Sequence, residues 1–208
     1  MSVKLFILGR PGSGKSTASH HIATTAWNKG RFVLRLRDYE ILLRMFQADD
    51  GKEKFRAREH GGFDVRDLSE LDTALEELKE RIRLHLPLEK RHVLLIEFAR
   101  ANYSKAFELF SAELLRDAYF LFIETDVETC IQRIRERVAH PLSADDFFVS
   151  EDILRGYYGE ESRAYVASGL QRDFGITKQI EIIDNMGSQR EFLENVRRFA
   201  EQILDQEM

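Results

Sequence analysis

One glycine-rich stretch, residues 9–16 with the sequence Gly-Arg-Pro-Gly-Ser-Gly-Lys-Ser, constrains this chain more than any other feature. It directly follows Val3–Leu8, a nearly continuous apolar run of the kind that forms a strand buried on both faces of a sheet. It also opens a segment from about Lys15 to Asn28 that we predict to be a helix, with Gly30 at its end. A strand, a tight turn and a helix in this order begin a βαβ fold.

The stretch fits the pattern G-x-x-x-x-G-K-[ST], which predicts a binding site for ATP with Mg²⁺. Its glycines let successive backbone N–H groups point at phosphate oxygens, and the helix that follows adds its positive N-terminal field. Lys15 supplies a cation for the β- and γ-phosphates, and the Ser16 hydroxyl is a predicted magnesium ligand. An ordinary glycine turn is the alternative, but the strand before the motif and the helix after it argue against that. The predicted loop residues are Gly9, Pro11, Gly12, Ser13, Gly14, Lys15, Ser16 and Thr17.

Further apolar runs and periodic segments extend this pattern along the chain. The predicted later strands are Phe32–Arg37, His92–Ile96, Tyr119–Ile123 and Ile180–Ile183. The predicted later helices are Tyr39–Phe46, a long helix opened at Asp67 and stopped by Pro87, Ser104–Arg116, Val127–Val138, Glu151–Tyr158 and Gln189–Gln206. Five strands separated by helices predict an α/β fold with a parallel sheet covered on both faces.

Composition excludes several other classes. The 208 residues are 43% hydrophobic, which suits one domain with a real core, and we treat residues 1–208 as a single domain. The net charge of −5 argues against extended nucleic-acid binding. Cys130 is the only cysteine, so an internal disulfide and a zinc site of several thiolates are excluded. No signal peptide fits and no apolar run approaches about 18 residues, so we expect a soluble, cytoplasmic protein without membrane contact.

The glycine-rich loop resembles that of adenylate kinases and their relatives, the P-loop kinases of nucleotides, nucleosides and polynucleotide ends. The resemblance covers most of the chain, because further features follow in similar order and spacing. It implies a three-layer P-loop NTPase fold, with a five-stranded parallel sheet in the order 2-3-1-4-5, helices on both faces and a small lid. It also implies a lid at residues 137–150. Residues 47–87 match no part of this family that we can place, and we expect them to form a helical excursion that shapes the acceptor side, within which the polar and charged stretch Gln47–Gly62 is mobile or loosely helical.

Two arginines on the predicted helix Val127–Val138 carry part of this resemblance. In this kinase class an R-x-x-x-R pair begins the lid over ATP, which implies that Arg133 packs on the adenine and Arg137 reaches the transferring phosphate. Residues four apart share a helix face, so the two side chains can point together. The alternative is a solvated basic face that includes Glu136.

Asp38, at the end of the second predicted strand, is the candidate base. Ligands of such folds bind at the carboxyl ends of parallel strands. In the polynucleotide and nucleoside kinase branches, an acid at this place accepts the proton of the attacking hydroxyl. The alternative is that Asp38 caps a helix beginning at Tyr39, and both roles are compatible.

The third strand ends in Glu97-Phe98-Ala99-Arg100. Adenylate kinases have an acid, a glycine, an aromatic residue, a proline and an arginine here. This chain lacks the glycine and the proline, so the resemblance does not identify the acceptor. The resemblance implies that Glu97 orients magnesium-bound water and that Arg100 holds the acceptor. Arg100 could instead simply pair with Glu97.

The last strand leads into a turn similar to the I-D-N-x-G-S turn of nucleotide kinases, which implies that Asn185 lies beside the adenine. Capping residues in a strand-to-helix turn are the alternative. The aromatic residues at 147, 148, 157 and 158 either close the acceptor side or belong to the core and surface loops.

These features predict a phosphotransferase that moves the γ-phosphate of ATP to a hydroxyl on a small molecule or a nucleic-acid end. The candidate catalytic residues are Lys15, Asp38, Arg100 and Arg137, and the candidate magnesium ligands are Ser16 and Glu97. A nucleoside monophosphate kinase and a nucleotide-dependent regulatory ATPase are the alternatives. Neither the acceptor nor the oligomeric state follows from the sequence.

Overall fold

Five parallel strands form the central sheet of the protein. The structure is a computed structural model that describes residues 2–87, 89–140, 147–160 and 162–207. Its strands are β1 (Val3–Leu8), β2 (Phe32–Arg37), β3 (Phe55–Ala57), β4 (Phe63–Val65), β5 (His92–Glu97), β6 (Tyr119–Glu124) and β7 (Ile180–Asp184). The sheet has the order β2-β5-β1-β6-β7, which is 2-3-1-4-5 when its members are counted along the chain. The predicted strand order is therefore confirmed.

Helices cover both faces of this sheet. They are α1 (Lys15–Asn28), α2 (Asp38–Ala48), α3 (Ser69–Leu84), α4 (Tyr103–Glu108), α5 (Ala112–Arg116), α6 (Val127–Ala139), α7 (Glu151–Gly156), α8 (Leu170–Phe174) and α9 (Gln189–Gln206). The single helix predicted at Ser104–Arg116 is two helices, because the Ser111 side chain accepts a hydrogen bond from the Leu114 N–H and so starts α5. A π-helical turn at Tyr165–Gly169, which leads into α8, was not predicted. Among the described helices, none combines the length and the apolar character that a membrane crossing requires.

Side chains of the strands alternate between two hydrophobic cores, which gives the three layers. Phe6 and Leu8 of β1 point into one core, together with residues of α2, α3, α4, α5 and α8. Val3, Leu5 and Ile7 point into the other, together with residues of α1 and α9. The first core is rich in aromatic rings: Phe6 stacks on Phe120 with ring centroids 5.2 Å apart. The parallel sheet is thus buried on both faces, as its apolar strands predict.

The segment predicted to be a helical excursion begins instead with an antiparallel ribbon of β3 and β4. The Asp49 carboxylate accepts hydrogen bonds from the N–H groups of Lys54 (3.1 Å) and Phe55 (3.0 Å), which turns the chain into β3. Phe55 and Phe63 are buried, and the Phe63 ring stacks on Phe46 at 4.8 Å. The prediction was wrong for this part because these two aromatic residues anchor an otherwise polar stretch to α2. Apart from the end of α2 and a 3-10 turn at Glu59–Gly61, the helical part of the segment is its second half, α3.

The predicted lid, residues 137–150, spans the end of α6 and the approach to α7. Residues 141–146 lie outside the described residues, so the structure bears on this prediction only at 137–140 and 147–150.

The register of the sheet brings the candidate residues to one edge. Glu97 at the end of β5 lies in register with Ile7 of β1 and with Arg37 of β2. The phosphate loop leaves β1 at this edge and Asp38 leaves β2 there, so the carboxyl ends of three neighbouring strands converge.

Candidate active site

The loop between β1 and α1 has the shape that a phosphate cradle requires. Gly9, Gly12 and Gly14 have φ values of 138°, 83° and 105°, a region that other residues rarely adopt. A Cβ on Gly12 would also lie 2.8 Å from the Cys130 carbonyl oxygen, and one on Gly14 would lie 2.5 Å from Nδ2 of Asn185. These glycines therefore allow both the curl of the loop and the close approach of α6 and of the turn after β7.

The loop is braced from several elements. Nδ2 of Asn185 donates to the Ser13 carbonyl at 2.7 Å, and the Gly9 N–H donates to the Tyr103 hydroxyl at 2.8 Å. Burial raises the pKa of Tyr103, which keeps this hydroxyl neutral. The shape of the phosphate loop is thus set before a ligand arrives, which lowers the entropic cost of binding.

Arg10 extends this bracing to the far wall of the site. Its guanidinium donates hydrogen bonds of 2.8 to 2.9 Å to three backbone carbonyls, those of Thr125, Tyr158 and Glu160. It therefore connects the phosphate loop both to the end of β6 and to the segment that follows α7.

Lys15 is buried, and its Nζ donates to the Arg10 carbonyl at 2.8 Å. Burial lowers the pKa of this ammonium below its ordinary value, while the carboxylates of Glu97 and Asp38 act in the opposite direction. An anionic phosphate beside Lys15 would raise this pKa again, since an opposite charge within a few Å favours the charged form.

Ser16 and Glu97 lie together at the start of α1, where the Ser16 hydroxyl donates to Oε1 of Glu97 at 2.9 Å. Oε2 of Glu97 lies 3.5 Å from Nη2 of Arg35, and it is buried with no hydrogen-bond partner among the described residues. Within those residues no group of three or more acidic, histidine or cysteine side chains could hold a metal. Mg²⁺ does not need one, because it usually combines one or two protein oxygens with water and substrate phosphates. The pair of Ser16 and Glu97 fits that donor set.

Asp38 and Arg100 form a buried ion pair, with Nη1 of Arg100 donating to Oδ2 of Asp38 at 2.5 Å. The remaining bonds of Arg100 go to the carbonyls of Ala99 and Leu71. Burial lowers the pKa of Arg100, but the Asp38 carboxylate outweighs this and raises it. The arginine is therefore a fixed, permanent cation behind Asp38.

This pair corrects three expectations. Arg100 does not line the cavity described below, so it lies behind the acceptor region rather than against an acceptor. Its partner is Asp38 and not Glu97. Finally, α2 begins at Asp38 with Arg37 in the capping position, so the proposed cap of a helix beginning at Tyr39 is wrong.

A continuous cavity of about 570 Å³ joins these groups. Towards the phosphate loop it is lined by Lys15, Ser16, Arg133, Arg137 and Asn185. Towards the β3–β4 ribbon it is lined by Asp38, Tyr39, Phe63, Val65 and Tyr157. The cavity is thus large enough for a nucleotide, and it extends into a second compartment beside the β3–β4 ribbon.

The α6 arginines face this cavity. Nη2 of Arg133 donates to the Asn185 carbonyl at 2.7 Å, and Nη2 of Arg137 donates to the Phe147 carbonyl at 2.8 Å. Both side chains are half-buried, whereas Arg135 on the same helix is exposed and pairs with Glu151. Arg133 and Arg137 are therefore not a simple solvated face, and the Asn185 carbonyl lies against Arg133.

The far wall of the cavity was predicted only in part: of the aromatic candidates, Phe147, Tyr157 and Tyr158 line it, whereas the β3–β4 side of the wall was missed. Phe147 stacks on Tyr39 with ring centroids 3.6 Å apart, and the Ser150 N–H donates to Oδ1 of Asp64 at 3.2 Å. Residues 147–150 thus contact α2 and the β3–β4 ribbon. Asp64 and Phe63 carry no motif, and the one available signal was an aromatic pair, Phe55 and Phe63, in a polar stretch.

Comparison with known proteins agrees with this architecture. A family model described as an AAA domain matches residues 5–154, which is most of the chain. No curated protein matches the sequence.

Solved structures share the fold along the whole chain. A gluconokinase from Sinorhizobium meliloti 1021 is 17% identical, covers 99% of this chain and 98% of its own, and has a TM-score of 0.50. TT1252 from Thermus thermophilus is 21% identical over 100% of this chain and 98% of its own, with a TM-score of 0.50. A shikimate kinase from Acinetobacter baumannii, in complex with shikimate, is 18% identical over 98% and 92%, with a TM-score of 0.48. With the phosphate loop and the sheet order, the family match and the two structures with a TM-score of 0.50 confirm the resemblance noted from the sequence: the chain belongs to the AAA domain family and has the fold of the P-loop kinases.

Proposed function

We propose that this chain is a cytoplasmic, ATP- and Mg²⁺-dependent phosphotransferase that moves the γ-phosphate to a hydroxyl acceptor, on a small molecule or a nucleic-acid end. The observation that carries the proposal is the position of Asp38, which lines the same cavity as the phosphate loop and is fixed from behind by buried Arg100. The occurrence of the fold in a gluconokinase supports phosphoryl transfer. In this proposal residues 47–87 form the acceptor side and residues 137–150 form the lid.

The residues divide the work between charge and position. The loop N–H groups and Lys15 hold the phosphates. Arg133 and Asn185 lie beside the adenine, and Arg137 contacts the phosphate that is transferred. Ser16 and Glu97 would hold Mg²⁺, which neutralises phosphate charge when it is bound. Asp38 orients the attacking hydroxyl and accepts its proton. Arg100 positions Asp38 and is not itself in contact with substrate.

The two alternatives fit the site less well. A monophosphate acceptor needs cations around its phosphate, but Arg100 is buried behind Asp38. The cavity-lining Arg37 is paired with Glu40, and Arg137 donates to the Phe147 carbonyl. A regulatory ATPase has no use for a second compartment with its own carboxylate.

The test is a screen of γ-labelled ATP against nucleosides, nucleotides, sugars and 5′-hydroxyl oligonucleotides. We expect label on a hydroxyl acceptor, and we expect Lys15→Ala to lower transfer by about 10²-fold or more, because it removes a charge that stabilises the transition state. Circular dichroism checks that the variant is folded. Lys29→Ala is the matched control, since Lys29 follows α1 and pairs with Asp205 outside the cavity.

Two results would count against the proposal. One is a folded Lys15→Ala protein with near wild-type transfer. The other is phosphate release from ATP at a rate that no acceptor changes, which would favour the regulatory ATPase.

A further inference from the structure

Arg35 is a charged side chain on the face of β2 that is directed towards α1. Side chains alternate along a strand, and Val33, two residues earlier, packs against the core that α1 and α9 share. Leu34 and Leu36 belong to the opposite core. The core on the α1 side is apolar, so an arginine beside it calls for a physical reason.

The guanidinium of Arg35 is held by α1. Its Nε donates to the hydroxyl of Ser19 at 2.8 Å, and Ser19 is buried. Ser16, three residues earlier on the same helix face, donates to Oε1 of Glu97 at 2.9 Å. Two serines about one helical turn apart thus hold the two members of the Arg35–Glu97 pair, one each.

The atoms with which Arg35 and Glu97 face each other are buried polar atoms. Nη2 of Arg35 and Oε2 of Glu97 lie 3.5 Å apart, which is longer than a charge-assisted hydrogen bond. Neither atom has a hydrogen-bond partner among the described residues. A buried polar atom without a partner costs free energy, so a ligand that satisfies it is favoured. Oε2 is therefore oriented but available, and a carboxylate oxygen is the kind of ligand that Mg²⁺ takes.

Lys15 is a second cation that can compete for Glu97. It lines the same cavity, and burial lowers its pKa while the Glu97 carboxylate opposes this shift. If Glu97 turned towards Lys15, the lysine would be less available to phosphate oxygens and the carboxylate would be less available to a metal ion. A contact that holds Glu97 from the β2 side prevents both losses.

From these contacts we propose that Arg35 is a positioning residue for the proposed magnesium site. It holds the Glu97 carboxylate in the orientation that leaves Oε2 available to Mg²⁺ or to water bound to it. Arg35 is not among the residues that line the cavity, so it acts through Glu97. This inference rests on the proposed phosphotransferase function. A cation that was only a neighbour of the site would repel Mg²⁺, so the two roles predict effects of opposite sign.

The first experiment measures how much Mg²⁺ strengthens nucleotide binding. Calorimetric titration gives the Kd of a non-hydrolysable ATP analogue in excess EDTA and in excess Mg²⁺, and the first value divided by the second is the metal coupling ratio. We expect Arg35→Met to lower this ratio by about tenfold, because methionine fills much of the same space but cannot hold Glu97. A merely structural role would shift both Kd values and leave the ratio unchanged, and simple repulsion would make the ratio rise. Either of these two results would overturn the inference.

Arg44→Met is the matched control, because Arg44 pairs with Glu77 in an exposed ion pair outside the cavity, and its ratio should equal that of wild type. Circular dichroism checks that each variant is folded. Should Arg35→Met fail to fold, Ser19→Ala tests the same contact, since it removes the hydroxyl that orients the guanidinium. It should also lower the ratio, and an unchanged or higher ratio would count against the inference in the same way.

The second experiment asks whether Arg35 acts through Glu97. Glu97→Gln removes the carboxylate charge, and we expect it to lower the ratio at least as much as Arg35→Met does. In the Glu97→Gln background, Arg35→Met should then change the ratio by less than about twofold, because residues that act as a unit are not additive. Any larger fall in the double variant would show that the two residues act independently and would reject the positioning role.

Failure of this inference can be told apart from failure of the proposed function. If wild-type protein does not bind the ATP analogue, or if Mg²⁺ does not strengthen that binding, the proposed phosphotransferase fails and the inference fails with it. If wild type shows the coupling and Arg35→Met retains it, the phosphotransferase stands and only the positioning role of Arg35 is rejected.

Discussion

Asp38 and Arg100 depend on each other, because each is a buried charge whose partner is the other. The guanidinium donates hydrogen bonds to Asp38 and to the carbonyls of Ala99 and Leu71, so it connects Asp38 to the end of β5 and to α3. An arginine suits this place because its planar fork holds several acceptors at fixed angles.

We predict that Asp38→Asn will lower turnover by about 10²-fold or more, because the amide cannot accept the hydroxyl proton. It should also lower the free energy of unfolding, since Arg100 then stays buried with its charge uncompensated, and the upper bound is about 3–5 kcal/mol for such a loss. Steady-state kinetics and urea unfolding measure the two effects. A folded Asp38→Asn protein that transfers phosphate at the wild-type rate would show that Asp38 is not the base.

Substitutions of Arg133 and Arg137 on α6 should have different kinetic effects. We predict that Arg137→Ala lowers kcat by about tenfold or more with a smaller change in ATP affinity, and that Arg133→Ala does the reverse. The reason is position, since Arg133 contacts the Asn185 carbonyl and Arg137 contacts Phe147 beside the acceptor wall. Arg135→Ala is the control on the same helix, because Arg135 is exposed outside the cavity. If all three variants behave alike, the lid assignment is wrong.

Local geometry explains which of these residues could be predicted. The loop residues lie next to one another in sequence, and the spacing of Arg133 and Arg137 puts them on one helix face, so a short pattern suffices. Asp38 and Arg100 are 62 positions apart, and their pairing depends on how β2 and β5 lie side by side. From sequence alone, Glu97 seemed the nearer partner for Arg100, although its own partners are Ser16 and Arg35.

Among the elements, α6 carries Arg133 and Arg137 and begins with a strong cap. The Asp126 carboxylate accepts hydrogen bonds from the Thr129 N–H at 2.8 Å and the Thr129 hydroxyl at 2.7 Å. These two bonds lower the pKa of Asp126 below its ordinary value. The start of α6, and with it the cavity wall, is therefore fixed by an ionised side chain.

We predict that Asp126→Ala will lower the free energy of unfolding by about 1 kcal/mol at neutral pH. Because the folded-state pKa is depressed, the contribution of the charge is present above the unfolded-state pKa of about 4 and is lost as pH falls through the lower, folded value. The difference between wild type and Asp126→Ala should thus shrink in acid. Asp126→Asn keeps the cap and does not titrate, so its stability relative to Asp126→Ala should not change in this way. Urea unfolding across this pH range is the measurement, and a constant difference for wild type would contradict the assignment.

The β3–β4 ribbon shows where element prediction fails. Its strands are three residues long, too short for a period-two pattern to be visible, and its surroundings are charged. Contacts that are distant in sequence, such as Phe63 on Phe46, decide its conformation. In the five long strands and in α1, α3, α6 and α9, the apolar pattern is visible within the segment itself. Their bounds were therefore predicted to within a few residues.

For the molecule as a whole, stability depends on two cores that share one sheet. Phe6 occupies the centre of the aromatic core and contacts Phe98, Phe107, Phe110 and Phe120. We predict that Phe6→Ala lowers the free energy of unfolding by about 3–5 kcal/mol, the usual cost of such a cavity. Phe32→Ala is the matched control, since Phe32 is 64% exposed, and it should cost much less. Denaturant unfolding compares the two, and similar losses would argue against this core.

The three hydrogen bonds of Arg10 have a consequence for how the two substrates sense each other. The Arg10 side chain belongs to the phosphate loop and donates to the Tyr158 carbonyl, and the Tyr158 side chain lines the cavity. A bound triphosphate that shifts Arg10 would therefore also shift the opposite wall of the cavity. Binding free energies that are coupled in this way are reciprocal: the factor by which ATP tightens the acceptor is the factor by which the acceptor tightens ATP. We infer that, in the proposed phosphotransferase, this one guanidinium links nucleotide binding to acceptor binding, which is heterotropic cooperativity.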